Sequence, residues 1–253
     1  MSTRIGIFVA AVLLTGAIGC SHPGSGLPVG SYERGIAEYE GERYLDAVQT
    51  LRLYVRRNPT DPRVDEAQYH IGLARFENDE YAVAAVEFEI LRNDYPNSEL
   101  IEDAWIMEGM CYVEQVPSIH HEQSVTRRAL DHFLRYLQEF PDGERSADAR
   151  EQVDALRLHL DRKWLSNIRL YERLGRTEAA LVEAEAMLDD RPDSQLRPEV
   201  LMLAADLHAE LDQLGEARRL WRRILDDHGS HELAPQAQSK LARMRDGVDE
   251  DAG

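Results

Sequence analysis

The chain has 253 residues, 43% hydrophobic and 30% charged, with 47 acidic against 29 basic side chains and a formal net charge of −18. Such a balance excludes a nucleic-acid backbone as partner, because that binding rests on basic patches, and the apolar content excludes a wholly disordered chain. The chain's two cysteines cannot make a disulfide framework.

At the start, Arg4 precedes an uncharged run from Ile5 to Ile18, ended by Gly19. A membrane-spanning helix needs about 20 apolar residues, so the run is too short to be one. A charged start, a short apolar middle and small residues before a cut describe a secretory signal peptide. The ending Ala17, Ile18, Gly19, Cys20 resembles a bacterial lipobox, in which cleavage leaves a lipid-bearing cysteine first in the mature chain. Lipoboxes usually carry Leu where Ala17 stands. A buried N-terminal helix, or an ordinary signal peptide beside an incidental cysteine, is the alternative. Residues 1–19 therefore read as a lipoprotein signal peptide and Cys20 as the lipidation site. Residues 20–30, rich in Pro, Gly and Ser, read as a flexible tether. Ser21 rather than Asp after the cysteine resembles lipoproteins sorted to the outer membrane.

From residue 31 to 245 one spacing recurs. An alanine stands twelve residues before a proline four times: Ala47 and Pro59, Ala84 and Pro96, Ala129 and Pro141, Ala180 and Pro192. In a fifth copy Ala217 precedes Gly229 by the same distance. Twelve residues before the first two alanines stand Gly35 and Gly72. Gly109 fits the third copy if eight residues are inserted around VEQVPSIHHEQ, and the fourth and fifth copies have Ile168 and Ala205 at this position. Small residue, alanine and proline at this spacing resemble the tetratricopeptide repeat. Small groups let paired helices approach at their crossing. Leu51, Phe88, Phe133 and Trp221, four residues after their alanines, fill the space beyond it, with Ala184 the exception. Proline ends the second helix of the first four copies, and Asp61 with Pro62 is expected to cap the helix that follows the first.

The expected helix pairs are 31–42 with 44–57, 62–77 with 80–94, and 98–114 with 123–139. A long helix over 144–173 pairs with 176–189, then 197–212 with 215–227. A last helix over 232–245 covers the end of the array, as terminal caps do, and residues 246–253 form a frayed acidic tail. The expected fold is all-α, a right-handed solenoid of about five tetratricopeptide-type helix pairs plus a C-terminal capping helix.

No catalytic or metal site emerges. His120, His121 and Glu122 form a polar loop without a second ligand cluster, and there is no phosphate loop, HExxH or GxSxG. No cofactor is expected. Cys111, among apolar residues, reads as an unpaired core thiol. Binding surfaces are the better expectation. Tyr32, Ile36 and Tyr39, then Tyr69, Leu73 and Phe76, then Ile106, Met110 and Val113 each share one helical face. In tetratricopeptide arrays such positions line the concave groove, although each residue alone also suits packing between neighbouring helices. Arg218, Arg219, Arg222 and Arg223 form a basic cluster suited to an acidic patch on a partner, or an ordinary solvated face.

Over essentially the whole chain, the lipobox, the split third copy ahead of RRALDHFLRYLQEFPDGERSADA, the long fourth-copy helix with Lys163 and Tyr171, and the close MLDDRPDS resemble the BamD family. The chain departs from that family at Trp164, where Glu is common, at Ile168, where Ala is common, and at Glu183, where Arg is usual. The resemblance implies a non-catalytic lipoprotein at the periplasmic face of the outer membrane, held there by its lipid. Its partners would be a BamA-like barrel-insertase subunit, accessory lipoproteins and unfolded outer-membrane proteins. Another periplasmic repeat lipoprotein, serving pilus or secretin assembly or envelope division, is the alternative.

Overall fold

In the computed structural model residues 26–250 are described, with side chains through Met244. The signal segment, Cys20 and most of the tether lie outside the described residues. The rest forms helix hairpins in series: α1 (Tyr32–Glu40) with α2 (Tyr44–Arg57), α3 (Val64–Glu77) with α4 (Tyr81–Asp94), and α5 (Ile101–Val113) with α6 (Ser124–Glu139). Then come α7 (Ser146–Arg173) with α8 (Thr177–Asp190), α9 (Arg197–Glu210) with α10 (Leu214–His228), and α11 (Ala234–Glu250). Each helix packs chiefly on its neighbours in the chain, the one-dimensional connectivity of a tetratricopeptide-type solenoid.

The repeat spacing has a steric cause. A Cβ built on Gly35 would stand 2.4 Å from Leu51, one on Gly72 2.6 Å from Phe88, and one on Gly109 2.5 Å from Phe133. The glycine therefore receives the large side chain of the partner helix. Leu51, Phe88 and Phe133, like Ala47, Ala84 and Ala129, are fully buried. In the fourth pair the volumes trade sides: Ile168 stands at the glycine position, Ala184 at the large one, and both are fully buried in one core. The fifth pair sets Ala205 against Trp221.

Two kinds of turn join the helices. Inside four of the pairs, three residues suffice, and the middle one adopts the left-handed conformation: Glu42 (φ 57°), Asp79 (57°), Gly175 (65°) and Asp212 (60°). The following N–H then reaches back to a carbonyl five residues earlier, Arg43 to Glu38, Glu80 to Arg75, Arg176 to Tyr171 and Gln213 to His208, closing the helix as a Schellman turn does. Only the fourth copy uses glycine there. An L-residue in this conformation is strained, so exposed Glu42→Gly is expected to raise stability by about 0.5 kcal/mol after allowing for glycine's entropy. Chemical denaturation checks this.

Between pairs, the residue before each proline is pushed out of helix. Asn58, Tyr95, Phe140 and Arg191 take φ of −129°, −125°, −127° and −128°. Gly229, with no proline after it, stays helical at −60°. Asp61 does not cap α3 as expected. That helix begins at Val64, and Asp61 Oδ1 accepts from the Arg63 amide at 3.0 Å in the turn before it. Ser98 and Ser194 do the same for Leu100 and Leu196, and each hydroxyl donates to a carboxylate one pair back, Asp65 and Asp161. Gly143 breaks the pattern to make room. A Cβ there would meet Glu102 Oε2 at 2.3 Å, and that oxygen accepts from the Tyr136 hydroxyl at 2.6 Å.

Three cores follow one another along the array. One lies among α1, α2 and α3, one spans α4 to the first half of α7, and one runs from the second half of α7 to α11. α7, at 28 residues twice the length of its partner α8, supplies buried Ala149, Val153 and Leu156 to the second core and Leu165 and Ile168 to the third. α11 continues helical to Glu250, past the point near 245 where fraying was expected.

Candidate partner-binding surfaces

α1 and α3, the first helices of the first two pairs, touch each other, with Tyr32 and Tyr39 between them, whereas Tyr69 and Phe76 pack on α4 within their own pair. Tyr32 on α1 donates its hydroxyl to Glu66 on α3 at 2.9 Å, and the Arg63 guanidinium lies 4.9 Å from its ring centre. Tyr39 meets His70 edge to face at 5.4 Å. Tyr69 packs on Phe88 at 5.5 Å, and Phe76 on Tyr81 at 5.2 Å. All four remain partly exposed, so each both joins neighbouring helices and presents an edge to solvent. Burial pushes the Tyr69 hydroxyl up to about 12, with Asp103 adding to it, and burial also raises Tyr32 and Tyr39. These phenols stay neutral donors. In the third pair Ile106 is buried, whereas Met110 and Val113 keep partial exposure; the stripe there narrows because Ile106 belongs to the core.

On α10, the buried face is Ala217, Leu220, Trp221 and Ile224, which leaves the four arginines on the opposite side. Two of them are offset locally: Arg219 pairs with Glu216 at 2.6 Å and Arg223 with Asp227 at 3.2 Å. Arg218 and Arg222 have no carboxylate within ion-pair distance among the described residues. Nearby Arg197 is buried, donates to the Leu188 carbonyl at 2.7 Å, and is pushed down by burial first and by Arg223 next.

The two departures on α7 and α8 meet each other. The Trp164 indole N–H donates to Glu183 Oε2 at 2.9 Å. Nothing in their separation of nineteen positions marks them as partners except helix-pair register.

Buried carboxylates escaped the sequence reading. Glu38 accepts from Thr50 at 2.5 Å and Arg34 at 2.9 Å. Glu87 takes Gln68 at 2.9 Å together with Arg52. Glu108 takes Arg92 at 2.6 Å and the Tyr112 hydroxyl at 2.8 Å. Their partners lie on other helices or one turn away, which explains how carboxylates persist in a core. His132 lies beside Glu108, its Nε2 donating to the Trp105 carbonyl at 2.8 Å.

The loop of His120 to Glu122 is tied down by local hydrogen bonds. His121 hydrogen-bonds Ser118 at 2.9 Å, and Glu122 holds the Ser124 amide at 2.9 Å. No set of three His, Cys, Asp or Glu among the described residues is placed to hold a metal ion. Asp189 and Asp190 are exposed at the end of α8. Burial, and then Glu108, push the Cys111 thiol up to about 12. Because the thiolate is the reactive form, Cys111 is expected to resist a thiol reagent in the folded chain and to react once denatured. A time course with a chromogenic disulfide, with and without denaturant, checks this.

No helix among the described residues is long and apolar enough to cross a membrane. The family described as YfiO, outer membrane lipoprotein, matches residues 28–222. The chain is similar to the outer membrane protein assembly factor BamD of Caulobacter vibrioides, 24% identical over 188 residues that cover 74% of this chain and 62% of that protein. It is also similar to BamD of Rickettsia prowazekii, 21% identical over 74% of this chain and 75% of that one. Among solved structures it is similar to a thermophilic tetratricopeptide-repeat protein of Thermus thermophilus (18% identity, 83% of this chain and 94% of that, TM-score 0.35). Another is a two-domain tetratricopeptide fragment of yeast Sti1 (14%, 86% and 83%, TM-score 0.47). With the match running from before α1 into α10, this chain belongs to the YfiO family of outer membrane lipoproteins.

Proposed function

We propose that this chain is a non-catalytic scaffold in the assembly of outer-membrane β-barrels, tethered through a lipid on Cys20 to the periplasmic face of the outer membrane. Its C-terminal pairs hold a barrel-insertase subunit, with the α10 arginines on the outer side. Its first two pairs offer unfolded barrel proteins the aromatic edges of Tyr32, Tyr39, Tyr69 and Phe76. Accessory lipoproteins complete the assembly. No bond is made or broken: binding and confinement carry the function, because a tether raises the effective concentration of module and partner.

The observation that carries this reading is the extent of the family match, which spans nearly all of the helical array; the relatives' names as assembly factors support it. Crosslinking in intact cells, followed by purification of this chain from membranes, tests it. Recovery of a barrel-insertase subunit is the expected result. Recovery of pilus, secretin or division proteins in its place would overturn the reading.

A further inference from the structure

A cleft of about 400 Å³ lies between α7, the start of α9 and the ten-residue α5–α6 connection, lined by Ile119, Arg162, Leu165, Ser166, Arg169, Arg173, Leu196 and Glu199. Five of these come from α7, at 162, 165, 166, 169 and 173, a spacing that puts them on one face. Arg162, Arg169 and Arg173 are exposed, and none has an ion-pair or hydrogen-bond partner among the described residues. Exposed Leu170 (46%) and Leu174 (61%) continue the surface beside them. Unpaired guanidinium groups gathered in one cleft of a chain with net charge −18 call for a local source of negative charge.

We propose that this cleft receives an extended acidic segment of a partner protein, with apolar residues between its carboxylates. The arginines supply forked donors for carboxylates. Ile119, Leu165 and Leu196 supply an apolar floor. Glu199 borders the cleft at the start of α9, its Oε2 buried and out of reach of an inserted strand. Along α7, Arg162 and Arg169 are about 10 Å apart and Arg169 and Arg173 about 6 Å. Because alternate side chains of an extended chain share one face, carboxylates two positions apart span the shorter gap, and carboxylates four positions apart, about 13 Å at about 3.3 Å per residue, span the longer one within the reach of the arginine side chains. An anionic membrane or a nucleic acid fits less well, because a broad polyanion would also face the surrounding acidic surface. Each carboxylate of a short segment would sit well inside one screening length of about 8 Å from its arginine.

The proposal rests on the scaffold reading only for where the partner comes from. The probe is a fluorescent peptide, Asp-Val-Asp-Val-Leu-Val-Asp, and its reverse, titrated against the chain from residue 21 onward at low and high salt. Saturable binding of one of the two is expected, weakening as salt rises, and falling at least tenfold when Arg162→Glu, Arg169→Glu and Arg173→Glu are combined. These side chains are exposed, so thermal unfolding of the triple variant should stay unchanged and separates lost binding from lost folding. Each single Arg→Gln change should cost severalfold. Absence of binding, or equal binding by the triple variant, would overturn the proposal. So would loss of binding on Arg218→Glu with Arg222→Glu alone, or the triple variant's selective failure to bind phosphatidylglycerol vesicles in place of the peptide. If the peptide fails while a barrel-insertase subunit is still crosslinked in cells, this cleft falls and the scaffold reading stands.

Discussion

Gly72→Leu is expected to destabilise the chain by about 3 kcal/mol, at the upper end of what overpacking a core costs. The new side chain would begin with a Cβ 2.6 Å from the Phe88 ring, and Phe88 is fully buried with no room to withdraw. Phe88→Ala alone should cost about 3 to 5 kcal/mol through the cavity it leaves. The combination should recover much of both losses, because it recreates the arrangement that the fourth pair already uses, Ile168 facing Ala184 within one core. Denaturant titration of the four chains closes the cycle, and a coupling of about 2 kcal/mol or more in the rescuing direction is the predicted outcome. Simple additivity would mean that glycine and phenylalanine do not share one contact.

Stability should also fall with acidification in a window set by His132. Burial is the main reason its imidazole is pushed down from 6.5 to about 4; Arg92, Arg135 and Arg128 add to this, while the hydrogen bond to the Trp105 carbonyl opposes it. Glu108, whose Oε1 lies 3.6 Å from Nδ1, is already taken up by Arg92 at Oε2 and by the Tyr112 hydroxyl at Oε1. Between those two values the unfolded chain binds the proton and the folded chain does not, so the contribution is complete above about pH 6.5 and is lost as pH falls toward 4. The full span corresponds to about 3 kcal/mol. Other carboxylates titrate in the same range, so the informative quantity is the difference between the wild-type chain and His132→Gln, whose amide can still donate to Trp105. That difference should shift by about 3 kcal/mol between pH 7 and pH 4, with the wild-type chain losing more. Parallel curves would contradict a buried neutral imidazole.

The helix pairs were legible because their spacing has a single steric source. Gly35 receiving Leu51 and Gly72 receiving Phe88 leave a mark that recurs at a fixed interval, and proline at the end of the first four pairs forces the residue before it out of helix. What escaped was whatever depended on two residues read separately. Ile168 and Ala184 each look like an exception, and only the packed pair shows a reversal of volumes. Trp164 and Glu183 likewise looked like two departures until the indole N–H was found on the carboxylate. The left-handed turns at Glu42, Asp79 and Asp212 have no glycine at the left-handed position to announce them. The buried carboxylates were hidden for the same reason, since Glu108 draws on Arg92 sixteen residues earlier and looks, along the chain, like any surface acid.

Among the binding surfaces, the aromatic stripes were legible as faces but not as contacts. Helical spacing places Tyr39 and Tyr69 on one side of their helices, while the edge-to-face meeting of Tyr39 with His70 depends on how α1 and α3 lie together. The α7 arginines were overlooked because they are spread over three turns of a long helix, whereas the α10 arginines crowd into six residues.

The most direct test of the whole account is depletion of this chain in living cells with quantitative measurement of β-barrel proteins in the outer membrane. A scaffold for barrel assembly predicts that those barrels fall together as the chain disappears, and that the wild-type chain restores them while a Cys20→Ser form held off the membrane does not. Barrel levels that stay constant through depletion would contradict it.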